Sequence, residues 1–142
     1  MAKVRQLLDE KGRDVWSVGP DTSVFDAISE MARRDVGALV VAKAGKPVGI
    51  FTERHYARNV FLKGRASPDT PVGDVMTSRV ICVNPDNTVE ECMAVMTKER
   101  VRHLPVISEH RLAGIVSIGD LVKSVIADQK FTIEQLEQFI HR

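Results

Sequence analysis

The chain repeats itself at a constant offset of 65 residues, and that repeat limits what it can fold into. Val15-Trp16-Ser17-Val18-Gly19-Pro20-Asp21 returns as Val80-Ile81-Cys82-Val83-Asn84-Pro85-Asp86. The register then holds without a gap: Val24 meets Val89, Met31 meets Met96, Leu39 meets Leu104, Val41 meets Val106, and Gly49-Ile50 meets Gly114-Ile115. A register kept through apolar runs and turns alike implies one small fold built twice. Two such copies are expected to pack about a pseudo-twofold axis, with related ligand clefts between them.

Composition limits the function classes. At 142 residues with 44% hydrophobic content, the chain has enough apolar material for one shared core or two half-size ones. A formal charge of +1 gives no field that would select nucleic acid or an acidic membrane, and one Trp and one Tyr offer few platforms for base stacking. No apolar run approaches the roughly 20 residues needed to span a bilayer. The N-terminal residues lack the apolar stretch of a secretory signal, and Cys82 and Cys92 form no Cys-x-x-Cys pair. The expectation is a cytoplasmic protein with reduced thiols, without nucleic-acid or membrane partners.

Each copy reads as strand, helix, strand, strand, helix, an α/β (α+β) unit of β-α-β-β-α type. Val15 to Val18 is a short strand, and Ser23 or Thr22 caps a helix whose apolar face is Val24, Ala27, Ile28 and Met31. Val89, Cys92, Met93 and Met96 repeat that face. Ala38 to Ala42, a turn at Gly45-Lys46-Pro47, and Val48 to Phe51 predict a hairpin. Its counterpart is His103 to Ile107, a turn at Ser108 to His110, and Leu112 to Val116. Helices are expected from about Glu53 and about Gly119. Lys63 to Pro71 reads as a surface linker, and Val72 to Met76 as a helical turn matched by Val4 to Leu8. The tail carries Thr132 and Gln135 at capping-box spacing, with Ile133, Leu136 and Ile140 on one face, for the domain or for a partner chain. In sequence order the first repeat with its N-terminal segment is 1–66, and the second with its C-terminal helix is 67–142.

Chemistry concentrates where the last strand of each copy meets its last helix. The second junction reads Gly114-Ile115-Val116-Ser117-Ile118-Gly119-Asp120-Leu121. A hydroxyl and a carboxylate three residues apart at a helix start can face one way. An ionised carboxylate there can accept both hydrogen bonds of a ribose diol, while the helix start favours a phosphate. The same residues also read as a cap alone, with Ser117 at the N-cap and Asp120 three residues in. The first junction recurs as Gly49-Ile50-Phe51-Thr52-Glu53-Arg54-His55-Tyr56.

Taken together, the paired Val-x-Pro-Asp starts, Asp74-Val75-Met76-Thr77, Arg102-His103-Leu104-Pro105-Val106 and the two junctions resemble a tandem pair of CBS domains, the Bateman module, over essentially the whole chain. The chain is similar to small bacterial stand-alone CBS-pair proteins. The resemblance implies a regulatory module that binds an adenosyl ligand: AMP, ADP, ATP, NAD or S-adenosylmethionine. It implies Asp120 on the ribose diol, Ser117 assisting at ribose or phosphate, and Arg102 and His103 near phosphate. His103 also reads as a half-buried structural histidine. The apolar slot for adenine falls to Val15 and Trp16 in the segment from Gly12, with Val80 and Ile81 as counterparts.

The first junction departs from that pattern. His55 stands at the aspartate position, and an imidazole cannot accept two hydrogen bonds from a diol. Thr52 remains, and Arg54 and Arg58 lie one turn apart with reach for a phosphate. His55 also brings a titration near neutral pH. The competing reading is that His55, Arg54 and Arg58 form a solvated helix face. Gly45-Lys46 lacks the spacing of a phosphate-binding loop, the histidines and cysteines show no metal-ligand spacing, and no nucleophile elbow occurs. The expectation is therefore no enzyme, no metal and no required cofactor. It is a regulatory sensor that binds an adenine nucleotide between its repeats, forms a homodimer, and acts on a regulated protein the sequence does not name. The competing reading is a ligand-free dimeric scaffold.

Overall fold

The computed structural model of the protein describes residues 2–141. Helix α1 (Val4–Lys11) is followed by strand β1 (Ser17–Val18), helix α2 (Val24–Arg34), strands β2 (Ala38–Lys43) and β3 (Lys46–Thr52), and helix α3 (Glu53–Tyr56), which continues as a π-helical turn over Ala57–Phe61. After short 3-10 turns at Ser67–Asp69 and Val72–Asp74 come helix α4 (Val89–Glu99), strands β4 (His103–Ser108) and β5 (Arg111–Ser117), and the long helix α5 (Ile118–Ile140). This is the mixed α/β repeat expected, built twice.

The two compact units are not the sequence halves 1–66 and 67–142. One unit holds Asp14–Ile81 with Glu109–Leu112; the other joins the N-terminal segment through Arg13 to Cys82–Ser108 and to the chain from Ala113 onward. Backbone hydrogen bonds show why. Val4 N donates to Asn87 O and Val89 N to Ala2 O, each at 2.9 Å, so the N-terminal segment pairs with the start of α4. Val72 N donates to Thr22 O and Val24 N to Thr70 O, each at 2.8 Å, so the segment after the first repeat pairs with the start of α2. The stretch 63–71 is thus only partly a surface linker, since Thr70 is buried and its hydroxyl donates to Ala66 O at 2.7 Å.

In the first-repeat unit, β1 pairs parallel with β2, which pairs antiparallel with β3. Val24, Ala27, Met31, Leu39, Val41 and Phe51 form the centre of its core. The N-cap of α2 is Ser23, whose hydroxyl accepts from Asp26 N at 3.1 Å. The first strand is shorter than expected, only Ser17–Val18, and the hairpin turn sits earlier, at Ala44 and Gly45, both with positive φ. Two positive-φ residues between antiparallel strands make the tight turn whose twist matches theirs. Pro47 then lies inside β3, which Pro tolerates on an edge strand.

In the other unit, Val4, Leu8, Val89, Cys92, Leu104 and Leu121 are among the buried residues. The turn between β4 and β5 falls on Glu109 and His110, again at positive φ. The expected strand Val80 to Val83 reduces to a single parallel bridge, Val83 to Val106. The cause is Pro105. In the first repeat Val40 N donates to Trp16 O at 3.2 Å, and at the matching position a proline has no N–H to give. The expected capping box at Thr132 is not formed. Thr132 lies inside α5, and its hydroxyl donates to Asp128 O at 3.0 Å one turn back.

Equivalent glycines let the entry segments close onto each hairpin. A Cβ on Gly49 would lie 2.7 Å from the Thr77 backbone oxygen, whereas one on Gly114 would meet Leu8 Cδ2 at 2.6 Å. Backbone cannot retreat as a leucine methyl can. Gly49→Ala is therefore expected to destabilise by about 1–3 kcal/mol and Gly114→Ala by less, a difference that urea denaturation of the two variants resolves.

Candidate functional site

The second junction is built by the turn from β5 into α5. Ser117 is the N-cap, and its hydroxyl accepts from Asp120 N at 3.3 Å. Asp120 Oδ2 accepts from Ser117 N at 2.8 Å, which closes a capping box. Ile118 N donates to Arg102 O at 2.9 Å, so the residues that open β4 are held beside the helix start. The matching bond in the first repeat, Glu53 N to Gly37 O at 3.1 Å, brings Gly37 and Ala38 instead. Only the second junction thus has Arg102 and His103 at its edge.

A residue that sequence reasoning missed completes the group. Lys11, at the last position of α1, donates from Nζ to Asp120 Oδ2 at 2.7 Å and to Ile115 O at 2.9 Å. The two side chains are 34% and 18% exposed, so water screens the pair only in part. Burial alone would raise the Asp120 carboxyl, but the Lys11 ammonium and the Ser117 N–H outweigh it and hold the group below its ordinary range. Asp120 is therefore anionic at neutral pH. Among the described residues, its hydrogen bonds as an acceptor fall on Oδ2, and Oδ1 takes none. His103 lies in the same field. Burial pushes its imidazole down, Lys11 and Arg102 push the same way, and Asp120 pulls it up. The net result is a neutral ring, consistent with a half-buried histidine.

A groove of about 980 Å³ runs from this point between α1 and α5, with Gln6, Glu10 and Lys11 on one side and Asp120, Lys123 and Ala127 on the other. No local motif announces Lys11. It is 109 residues from Asp120 and reaches it only because the N-terminal segment pairs with the start of α4.

The first junction, in the other unit, is satisfied differently. Thr52 is the N-cap, its hydroxyl accepts from His55 N at 3.2 Å, and Thr52 N donates to His55 Nδ1 at 3.0 Å. His55 thus takes the capping role of Asp120, with Nδ1 as acceptor and the proton on Nε2. Its ring stacks on Phe51 with centroids 6.4 Å apart. Burial first, then the charges of Arg54 and Arg58, push its pKa down, so the neutral ring that the cap requires is the favoured one. Arg54 and Arg58 themselves are exposed. Trp16, Val15, Val80 and Ile81 belong to this same unit and are half-buried. The Arg34 guanidinium covers one face of the Trp16 ring, 3.8 Å from its centroid.

The description of a CBS domain matches residues 4–61 and again 72–127. The chain belongs to the CBS-domain family. It is 38% identical over 147 residues to the mitochondrial CBS domain-containing protein CBSX3 of Arabidopsis thaliana, covering 96% of this chain and 71% of that one. A solved structure of a putative signal-transduction protein with CBS domains from Burkholderia ambifaria MC40-6 is 48% identical, with a TM-score of 0.87 over 90% of this chain and 96% of the other. The CBS domain pair of protein MJ0100, solved in complex with 5′-methylthioadenosine and S-adenosyl-L-methionine, shares the fold at 22% identity and a TM-score of 0.79, covering 90% of this chain and 98% of that one. The chain is thus a tandem CBS pair, a regulatory module. Among its described residues no helix is long and apolar enough to cross a membrane.

The depressed histidines set a direction for pH dependence. A group whose folded pKa lies below its ordinary 6.5 binds fewer protons folded than unfolded, so its stabilising contribution is complete above that value. It is lost as pH falls from there through the folded pKa. The urea midpoint is expected to drop between pH 7.5 and pH 5, above the range of the carboxylates. His55→Gln, which keeps a capping acceptor without a proton to gain, should show a smaller drop. An unchanged drop would assign the effect to His103 alone.

Proposed function

We propose that this protein is a cytoplasmic, non-catalytic regulatory subunit that reversibly binds an adenine nucleotide, such as AMP, ADP, ATP or NAD, through the junction of its second repeat. One observation carries the reading: an anionic, half-buried carboxylate at a helix start, Asp120, with one oxygen open and Arg102, His103 and Lys11 around it. A carboxylate so placed suits a ribose diol, and cations beside it suit a phosphate. The adenosyl compounds in the MJ0100 complex share the riboside that this chemistry would recognise. The first junction, capped by a neutral imidazole, has no equivalent carboxylate, so one strong site per chain is the expected stoichiometry. No cofactor is required; the nucleotide is a signal that biases one arrangement of the module by binding it more tightly.

A second reading has its own support. Asp120 is already held by a capping box and an ion pair, which is all that a purely structural residue would need. A ligand-free scaffold would show just this. Calorimetric titration with AMP separates the two. On the sensor reading, wild type binds and Asp120→Ala weakens binding at least tenfold, about 1.4 kcal/mol. On the scaffold reading, neither protein binds and nucleotide leaves the melting temperature unchanged.

We also propose that the partner includes a second copy of the chain, through α5. Its exposed Ile126, Ile133 and Ile140 recur every seven residues, with exposed Val122 one turn before the first and Leu136 between the last two, which is the spacing of a helix–helix seam. Light scattering should return a dimer mass, and Ile133→Glu should shift it to monomer. A monomeric wild type removes this part of the reading.

A further inference from the structure

We infer that Lys11 is a ligand-binding residue that selects for a phosphate on the adenosyl ligand and against neutral ribosides. The inference rests on the nucleotide reading of the second junction and goes beyond it by assigning the charge class of the ligand. It starts from where Lys11 Nζ is held, on Asp120 Oδ2 and the Ile115 carbonyl, at the carboxylate assigned to ribose.

Before a diol can occupy that carboxylate fully, it competes with the ammonium for the same lone pairs. A neutral riboside such as adenosine makes this exchange and offers the displaced cation nothing in return. A phosphorylated one offers a stronger acceptor, and the flexible four-carbon stem of lysine lets the ammonium swing to it. Little opposes the swing. A partly exposed lysine–carboxylate pair is a weak contact, and Ser117 N keeps its bond to Oδ2 when Lys11 leaves. Arg102 and a neutral His103 remain at the edge of the site. Without Lys11 the junction would hold a carboxylate that repels phosphate with less positive charge to oppose it.

This role makes an asymmetric prediction that a merely structural lysine does not. AMP and adenosine are titrated calorimetrically into wild type, Lys11→Met, Lys11→Arg and Asp120→Ala. Wild type is expected to prefer AMP. Lys11→Met should weaken AMP roughly tenfold or more while adenosine binds equally well or more tightly, so that the preference collapses. Lys11→Arg should keep the preference. Equal weakening of both ligands in Lys11→Met, or an unchanged ratio, overturns the role of Lys11. If wild type binds AMP and Asp120→Ala loses it in that same result, the nucleotide reading survives alone. If wild type binds neither ligand, the nucleotide reading fails and this inference fails with it.

Discussion

Val4 N bonds to Asn87 O and Val89 N to Ala2 O; Val72 N bonds to Thr22 O and Val24 N to Thr70 O. These four backbone hydrogen bonds give each repeat, at the start of its first helix, a short segment distant from that helix in sequence. The residues before the first repeat complete the unit of the second, and the residues after the first repeat turn back onto the first. The helix starts are where such bonds matter most, because the first N–H groups of a helix have no partner within it. The consequences reach the core and the site. Leu8 closes on Gly114, Thr77 closes on Gly49, and α1 ends with Lys11 on Asp120. Were the N-terminal segment packed on its sequence neighbours, Asp120 would lack its cation.

The repeat, the α/β elements, the hairpins and the two junctions were legible in the sequence because their signals are local. Apolar spacing, a hydroxyl three residues before a polar acceptor, and a turn between apolar runs all act within a few residues. What was not legible depends on distance or on a partner strand. The second copy of the first strand looked as apolar as the first, yet its pairing failed at Pro105 across the sheet. Thr132 looked like a cap because nothing nearby shows that α5 already extends past it. Lys11 carried no signal, since an amphipathic helix ending in a lysine is common and its partner lies across the chain.

The two junctions show one backbone device carrying different chemistry. Both use a hydroxyl N-cap, a third-position acceptor, and an N–H from the first helical residue to the carbonyl before the preceding strand pair. The cap needs only an acceptor, so imidazole and carboxylate are interchangeable for stability at neutral pH. They are not interchangeable for recognition. Imidazole spends its single lone pair on Thr52 N, whereas carboxylate gives one oxygen to Ser117 N and keeps another. The exchange of Asp for His at position 55 therefore removes a diol acceptor while leaving the fold of the first repeat intact. It also makes that cap sensitive to protonation, which Asp120 is not above the acidic range.

The same arithmetic explains why a capping carboxylate can also be a binding group. A cap that used both carboxylate oxygens would have to break before a ligand bound, and the helix start would lose a bond of about 1 kcal/mol. Here the cap bond and the Lys11 bond converge on Oδ2. A diol that takes Oδ1 with one hydroxyl and the ammonium's place on Oδ2 with the other leaves the Ser117 N bond intact, so the ligand displaces only the ammonium, which is the one partner able to follow it. Structural and recognition roles can therefore coexist on Asp120 without competing, and the mobile member of the group is the lysine contributed by the distant N-terminal helix.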